Sequence, residues 1–120
     1  MHKVLLLGIN PSSGKPKKLS ALSRMEVWMK SLGFQYYCFS NVIPTPGEYK
    51  LDKVDYDYVS SIVEGHDKVI ALGGFVSTVL NRLKVEHFVL PHPSPLNRKL
   101  NDKNYEKLCL EQCAQFLSHK

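Results

Sequence analysis

Short apolar runs alternate with amphipathic stretches along this 120-residue chain. Runs such as Val4-Leu5-Leu6-Leu7, with no polar interruption, are typical of strands buried on both faces of a parallel sheet. Apolar residues recurring every three or four positions predict helices between these runs. The spacing places Leu22, Met25, Met29 and Leu32 on one face of the first helix and Tyr58, Val59, Ile62 and Val63 inward on the second. The predicted strands are 3–9, 35–43, 68–72 and 87–90. The predicted helices are 20–32, 55–64, 75–84 and one that begins after Asn101 or Asp102 and continues to at least Leu117.

The order of these elements predicts the fold class. Four alternations of strand and helix are typical of an α/β domain with a parallel sheet. We therefore expect a single domain over residues 1–120, with a four-stranded parallel sheet in a three-layer α/β/α arrangement. Ligands of such sheets bind outside the carboxyl ends of the strands. The unusual loops all follow predicted strands, so we expect them to share one edge: 10–13, 41–46, 73–74 and 92–98.

Composition excludes several classes of protein. The formal net charge of +5 is compatible with a polyanionic partner. No apolar run approaches about 20 residues, so we expect no membrane span, and the first run is too short for a signal peptide. Three cysteines are an odd number and predict a reducing, cytoplasmic, non-secreted setting. Cys109 and Cys113 are one helical turn apart, which favours core packing over a metal site.

A proline-rich loop follows the last predicted strand. Three prolines within 91–95 exclude a helix interior and a central strand, so His92 between two of them is held in a stiff loop. Ser94, Leu96 and Arg98 add a hydroxyl, an apolar tip and a guanidinium. Taken alone, the segment is equally compatible with an ordinary turn that carries a surface histidine.

The loop after the first strand has a weaker pattern. Residues 8–15 are similar to a phosphate-binding loop, but five residues separate Gly8 from Gly14 where that motif has four, and Pro16 replaces the required Ser or Thr. The spacing therefore argues against a nucleotide triphosphatase. On its own, Asn10 before a proline is compatible with a turn, and Asn41 at a strand end with a local cap.

Together, the two loops resemble a known family. Gly8-Ile9-Asn10-Pro11-Ser12 and His92-Pro93-Ser94-Pro95-Leu96 resemble the two signature motifs of the uracil-DNA glycosylase superfamily, in the same order along the chain. Residues 37–43 and 69–74 resemble its second and third strands, and the resemblance extends from Val4 to about Asp102. It implies a uracil-DNA glycosylase-like fold and a hydrolase of DNA repair that removes uracil or a related base from single- or double-stranded DNA. It also implies a monomer that needs no metal or cofactor.

The resemblance implies a role for each matching residue. Asn10 would position the attacking water, and His92 would stabilise negative charge on the leaving base. Ile9 would line the base pocket, and the amide of Asn41 would bind one edge of a pyrimidine. Leu96 would be the wedge that supports base flipping. Contacts to the DNA backbone would come from Ser12, Ser13, Lys15, Lys17, Lys18, Ser94, Asn97, Arg98 and Lys99.

Two departures from the family pattern qualify these expectations. Family members stack the flipped base on an aromatic residue located before the first helix, but residues 15–25 contain none. Trp28 and Phe75 are the candidates to replace it. The four-cysteine iron–sulfur signature of some branches is also absent. Asn10 has no carboxylate to act as a base, which resembles the compact, Asn-bearing branches of the family. Two alternatives stay open: an inactive DNA-binding module with this fold, and an enzyme that acts on a modified base or nucleotide.

Overall fold

A computed structural model of the chain describes residues 3–9, 21–34, 37–45, 50–93 and 98–118. Its strands are β1 (Val4–Gly8), β2 (Cys38–Asn41), β3 (Lys68–Leu72) and β4 (Phe88–Leu90). Its helices are α1 (Ala21–Ser31), α2 (Tyr56–Glu64), α3 (Gly74–Arg82) and α4 (Lys103–Ser118). Short 3-10 helices occupy Leu51–Lys53 and Arg98–Asn101. Among the described residues, none of the helices is long and apolar enough to cross a membrane.

The four strands form one parallel sheet in the order β2-β1-β3-β4. β1 is an inner strand and is buried along its whole length, as its unbroken apolar run predicts. β2 is shorter than the predicted 35–43. Beyond Asn41, the N–H groups of Val42 and Ile43 still donate to the carbonyls of Gly8 (3.0 Å) and Ile9 (2.8 Å), so the chain continues beside β1.

Helices cover both faces of the sheet, and each face has its own core. Along β1, Val4 and Leu6 contribute to a core with α1 and α4, and Leu5 and Leu7 to a core with α2 and α3. We call these the α1/α4 core and the α2/α3 core. The division follows from the two-residue period of a strand, which sends successive side chains to opposite faces. The predicted three-layer α/β/α arrangement is confirmed.

Among the described side chains of α1 and α2, the helix faces agree with the sequence pattern except at Tyr58. Met25 and Met29 are buried in the α1/α4 core, and Val59 is buried in the α2/α3 core, as predicted. Tyr58 was expected to face inward, and this was wrong. Its side chain is 45% exposed, and its hydroxyl is 2.7 Å from Ser40 Oγ. The phenol group keeps its hydrogen bond by lying at the margin of the core.

Helix ends and cysteines also agree with the sequence analysis. Asp55 caps α2 by accepting the N–H of Tyr58 at 3.0 Å, and Asp102 accepts N–H groups in the first turn of α4. Cys113 is buried in the α1/α4 core, and burial raises the pKa of its thiol to about 12. Cys109 packs against the same core. Among the described residues, no group of three His, Cys, Asp or Glu could hold a metal ion.

Candidate functional site

The strand order places the topological switch point, where folds of this kind form a crevice for ligands, between the two inner strands. From β1 the chain passes to β2 on one side and then to β3 on the other, so the direction of winding changes between β1 and β3. Open α/β sheets bind ligands outside the carboxyl ends of the strands at such a point. Gly8 ends β1 there, and Gly73 directly follows β3. Neither residue has a side chain, so the space above them is available to residues from the outer strands.

Asn41, the last residue of β2, lies over the end of β1. It pairs with Gly8 in the sheet register. Asn41 Oδ1 is 2.9 Å from the position that a Cβ on Gly8 would take. Any side chain at position 8 would therefore displace the amide. Gly8 allows a polar group with both a donor and an acceptor to occupy the carboxyl end of the sheet.

His92 packs beside Gly73 in a similar way, but without the close approach that Asn41 makes to Gly8. Gly73 has φ +97°, a left-handed conformation that favours glycine, and its N–H donates to Leu90 O at 2.8 Å. His92 Cβ and Cδ2 are 3.4 Å and 3.6 Å from the position of a Cβ on Gly73. Burial lowers the pKa of His92 below its ordinary value of 6.5. The imidazole therefore packs against the turn after β3, and its burial favours the neutral form of the ring.

The two side chains thus lie on opposite sides of this switch point. Asn41 ends one edge strand and lies over Gly8 at the end of β1, and His92 follows the other edge strand and lies beside Gly73, directly after β3. For the described parts of these loops, residues 41–45, 73–74 and 91–93, the expectation of a shared position at the carboxyl ends of the strands is confirmed, because all four strands are parallel, whereas loop 10–13 lies outside the described residues. Asn41 and His92 are 51 residues apart in the sequence, and this topology directs both to the carboxyl ends of the strands.

One predicted catalytic residue, Asn10, and most of the predicted DNA-contacting residues lie outside the described part of the chain. This applies to Asn10, Ser12, Ser13, Lys15, Lys17, Lys18, Ser94, Leu96 and Asn97, and to the side chain of Arg98. Their roles stay predictions. Ile9 is described: its carbonyl accepts the N–H of Ile43, and its side chain packs against the α2/α3 core. Its role in lining a base pocket also stays a prediction.

The proposed replacement of the stacking aromatic by Trp28 is wrong. Trp28 is only 2% exposed and belongs to the α1/α4 core. Phe75 packs against the α2/α3 core. The sequence analysis did not single out Phe39. Its side chain is 38% exposed, and its ring lies over Gly8. The signal was available, because residues two apart on a strand share a face and Phe39 is two residues before Asn41.

Comparison of the chain with protein-family models, with curated proteins and with solved structures found no match. In the absence of a match, the fold and the site together identify only the structural class of the protein. It is a three-layer α/β protein with an amide and a neutral imidazole at the carboxyl edge of a parallel sheet.

The lowered pKa of His92 predicts a dependence of stability on pH. The unfolded histidine takes up a proton near pH 6.5, whereas the folded one resists protonation until a lower pH. The free energy of unfolding should therefore fall as the pH drops below about 6.5 and be independent of this group above it. We expect His92→Gln to lose this part of the slope in urea unfolding between about pH 5 and pH 8. His66 and His87 are present in both the wild type and the variant. If the free energy of unfolding of the two proteins changed with pH in parallel, the lowered pKa would not belong to His92.

Proposed function

We propose that this protein is a DNA glycosylase that hydrolyses the N-glycosidic bond of uracil or a related base. The observation that carries the proposal is the placement of Asn41 over Gly8 and of His92 beside Gly73, on either side of the switch point between β1 and β3. The two motifs that resemble the uracil-DNA glycosylase superfamily supply Gly8 and His92, and Asn41 ends the strand that resembles its base-reading strand.

Asn41 suits the recognition of a base edge. Its side-chain amide offers a carbonyl acceptor and an NH₂ donor side by side, which matches the alternating donors and acceptors on a pyrimidine. A base inside a duplex cannot reach such a group, so the nucleotide must be flipped out or the strand must be single. Leu96 would act as the wedge for flipping, and the predicted basic residues of the loops would hold the phosphate backbone.

His92 suits the chemical step. When water attacks C1′ of the sugar, the bond from C1′ to the base nitrogen breaks and its electron pair goes to the base. Negative charge then develops on a base oxygen, and an N–H donor aimed at that oxygen stabilises the transition state. A neutral imidazole held by burial is a preorganised donor of this kind. Asn10 would position the water, and the proton that the water loses passes to solvent.

The proposal is tested by single-turnover excision. Oligonucleotides that carry uracil, hydroxymethyluracil, hypoxanthine or a mismatched thymine are incubated with the protein, and abasic sites are then cleaved with alkali. We expect strand cleavage at one or more of these bases, on single- or double-stranded substrate. His92→Ala, prepared in the same way, is the control for a contaminating glycosylase from the expression host. If the wild type bound DNA but cleaved at none of these bases, the result would contradict the proposed glycosylase activity and favour a DNA-binding module.

A further inference from the structure

The ring of Phe39 lies beside the amide of Asn41, over the end of β1. Its Cζ and Cε2 atoms are 3.3 Å and 3.4 Å from the position that a Cβ on Gly8 would take, the same position that Asn41 Oδ1 approaches to 2.9 Å. Ser40, between them, has its hydroxyl on the α2 side, 2.7 Å from Tyr58. Phe39 and Asn41 therefore share the other face of β2 and together cover the buried Gly8.

The exposure of this ring contrasts with that of its neighbours. Leu6, the register partner of Phe39, is fully buried, and Phe34 and Tyr37 pack against the α1/α4 core. Phe39 nevertheless leaves 38% of its surface in water. Burying an aromatic ring is favourable, so an exposed ring beside a polar recognition group indicates a surface that a ligand covers.

An aromatic face next to an amide fits one class of ligand. A planar heterocycle offers a π-face for stacking and, at right angles to it, an edge with hydrogen-bond donors and acceptors. Base–aromatic stacking tolerates different bases, whereas an amide distinguishes their edges. Trp28 is buried and Phe75 packs on the opposite face of the sheet, so neither can present a ring beside Asn41.

We propose that Phe39 is the stacking surface for the extrahelical base whose edge Asn41 binds. The inference rests on the proposed glycosylase function and adds to it the residue that holds the plane of the base. Phe39 then confers affinity for any planar base, and Asn41 confers the preference among bases. Because the two residues come from one short strand, the base is fixed relative to the sheet rather than to a loop.

The test compares the affinity of the protein for a strand that carries a base with its affinity for a strand that lacks the base at the same position. The probes are two single-stranded oligonucleotides, one with 2′-fluoro-2′-deoxyuridine and one with a tetrahydrofuran abasic analogue at the same position. The fluorine disfavours positive charge on the sugar, so the base is retained during the measurement. We expect the wild type to bind the base-bearing probe more tightly. Phe39→Leu should reduce this preference about 5-fold or more, and Phe39→Tyr, which keeps the ring, should retain it.

Val89→Ala is the matched control. Val89 is exposed to a similar extent, 42%, but lies on the opposite edge strand, between Phe88 and Leu90, which contact the α1/α4 core. Its side chain therefore faces away from that core, and the variant should keep the wild-type preference. A thermal midpoint for each variant confirms folding. As a measurement without substitution, the ring resonances of Phe39 in the wild type should move upfield when free uracil is added.

The outcomes separate this inference from the proposed function. Excision by the wild type together with an unchanged base preference in Phe39→Leu overturns the stacking assignment and leaves the glycosylase intact. Equal loss in Phe39→Leu and Phe39→Tyr also overturns it, since the tyrosine keeps the aromatic face. A wild type that neither excises any base nor prefers the base-bearing probe overturns both proposals.

Discussion

His92→Ala should slow base excision by about 10²- to 10³-fold at single turnover, the usual effect of removing one preorganised donor to a developing negative charge. The imidazole is fixed by the proline-rich loop on one side and by Gly73 on the other. Burial lowers its pKa, so in the proposed reaction the ring would donate from its neutral form. Removing it should reduce the rate of the chemical step and leave binding of the base-bearing strand largely unchanged.

A second histidine provides the control for this experiment. His66 is also partly buried, and its Nδ1 is 2.7 Å from Ile62 O. It lies between α2 and the beginning of β3, at the amino ends of the strands, opposite the candidate site. His66→Gln should excise at the wild-type rate. Asn10→Ala should slow the chemical step as well. An unchanged rate in both His92→Ala and Asn10→Ala would mean that the motifs do not form the active site.

Gly73→Ala should lower both stability and excision. At φ +97° an alanine is strained by about 1–2 kcal/mol. Its Cβ would also be in ordinary van der Waals contact with His92, 3.4 Å from Cβ and 3.6 Å from Cδ2, so a backbone shift that relieves the strain at Gly73 would move the imidazole. A shift of about 1 Å in a reacting group can cost about 10²-fold in rate. We therefore expect a lower thermal midpoint and a loss of excision of up to about 10²-fold.

Gly33→Ala is the control that separates the effect of backbone strain on stability from the displacement of His92. Gly33 follows α1 with φ +81°, so an alanine there is strained in the same way, but a Cβ at this position would meet nothing within 4 Å. Its thermal midpoint should fall by a similar amount with excision unaffected. If both glycine variants lose excision in proportion to their stability, Gly73 has no part in positioning His92. If Gly73→Ala excises like the wild type, the contact with His92 is irrelevant to the reaction.

The local pattern of the sequence was sufficient for the elements and their class. The unbroken apolar run of β1, the capping residue Asp55 and the helical spacing of Met25 and Met29 depend on residues within a few positions of one another. The alternation of strands and helices then leaves few ways to bury all the apolar faces, and the three-layer α/β/α arrangement is one of them. The site motifs could be found for the same reason, since each is a contiguous segment following a strand.

Only the tertiary structure decided which distant segments of the chain lie side by side. The order β2-β1-β3-β4 brings Asn41 over Gly8 and His92 over Gly73, and no periodicity within one segment contains that order. Burial at individual aromatic positions was decided in the same way. Trp28 is enclosed because α1 packs on the sheet beside α4, whereas Phe39 stays partly exposed on the edge strand. A strand pattern assigns two faces to a segment, but which face is covered, and by what, depends on contacts between residues far apart in the chain.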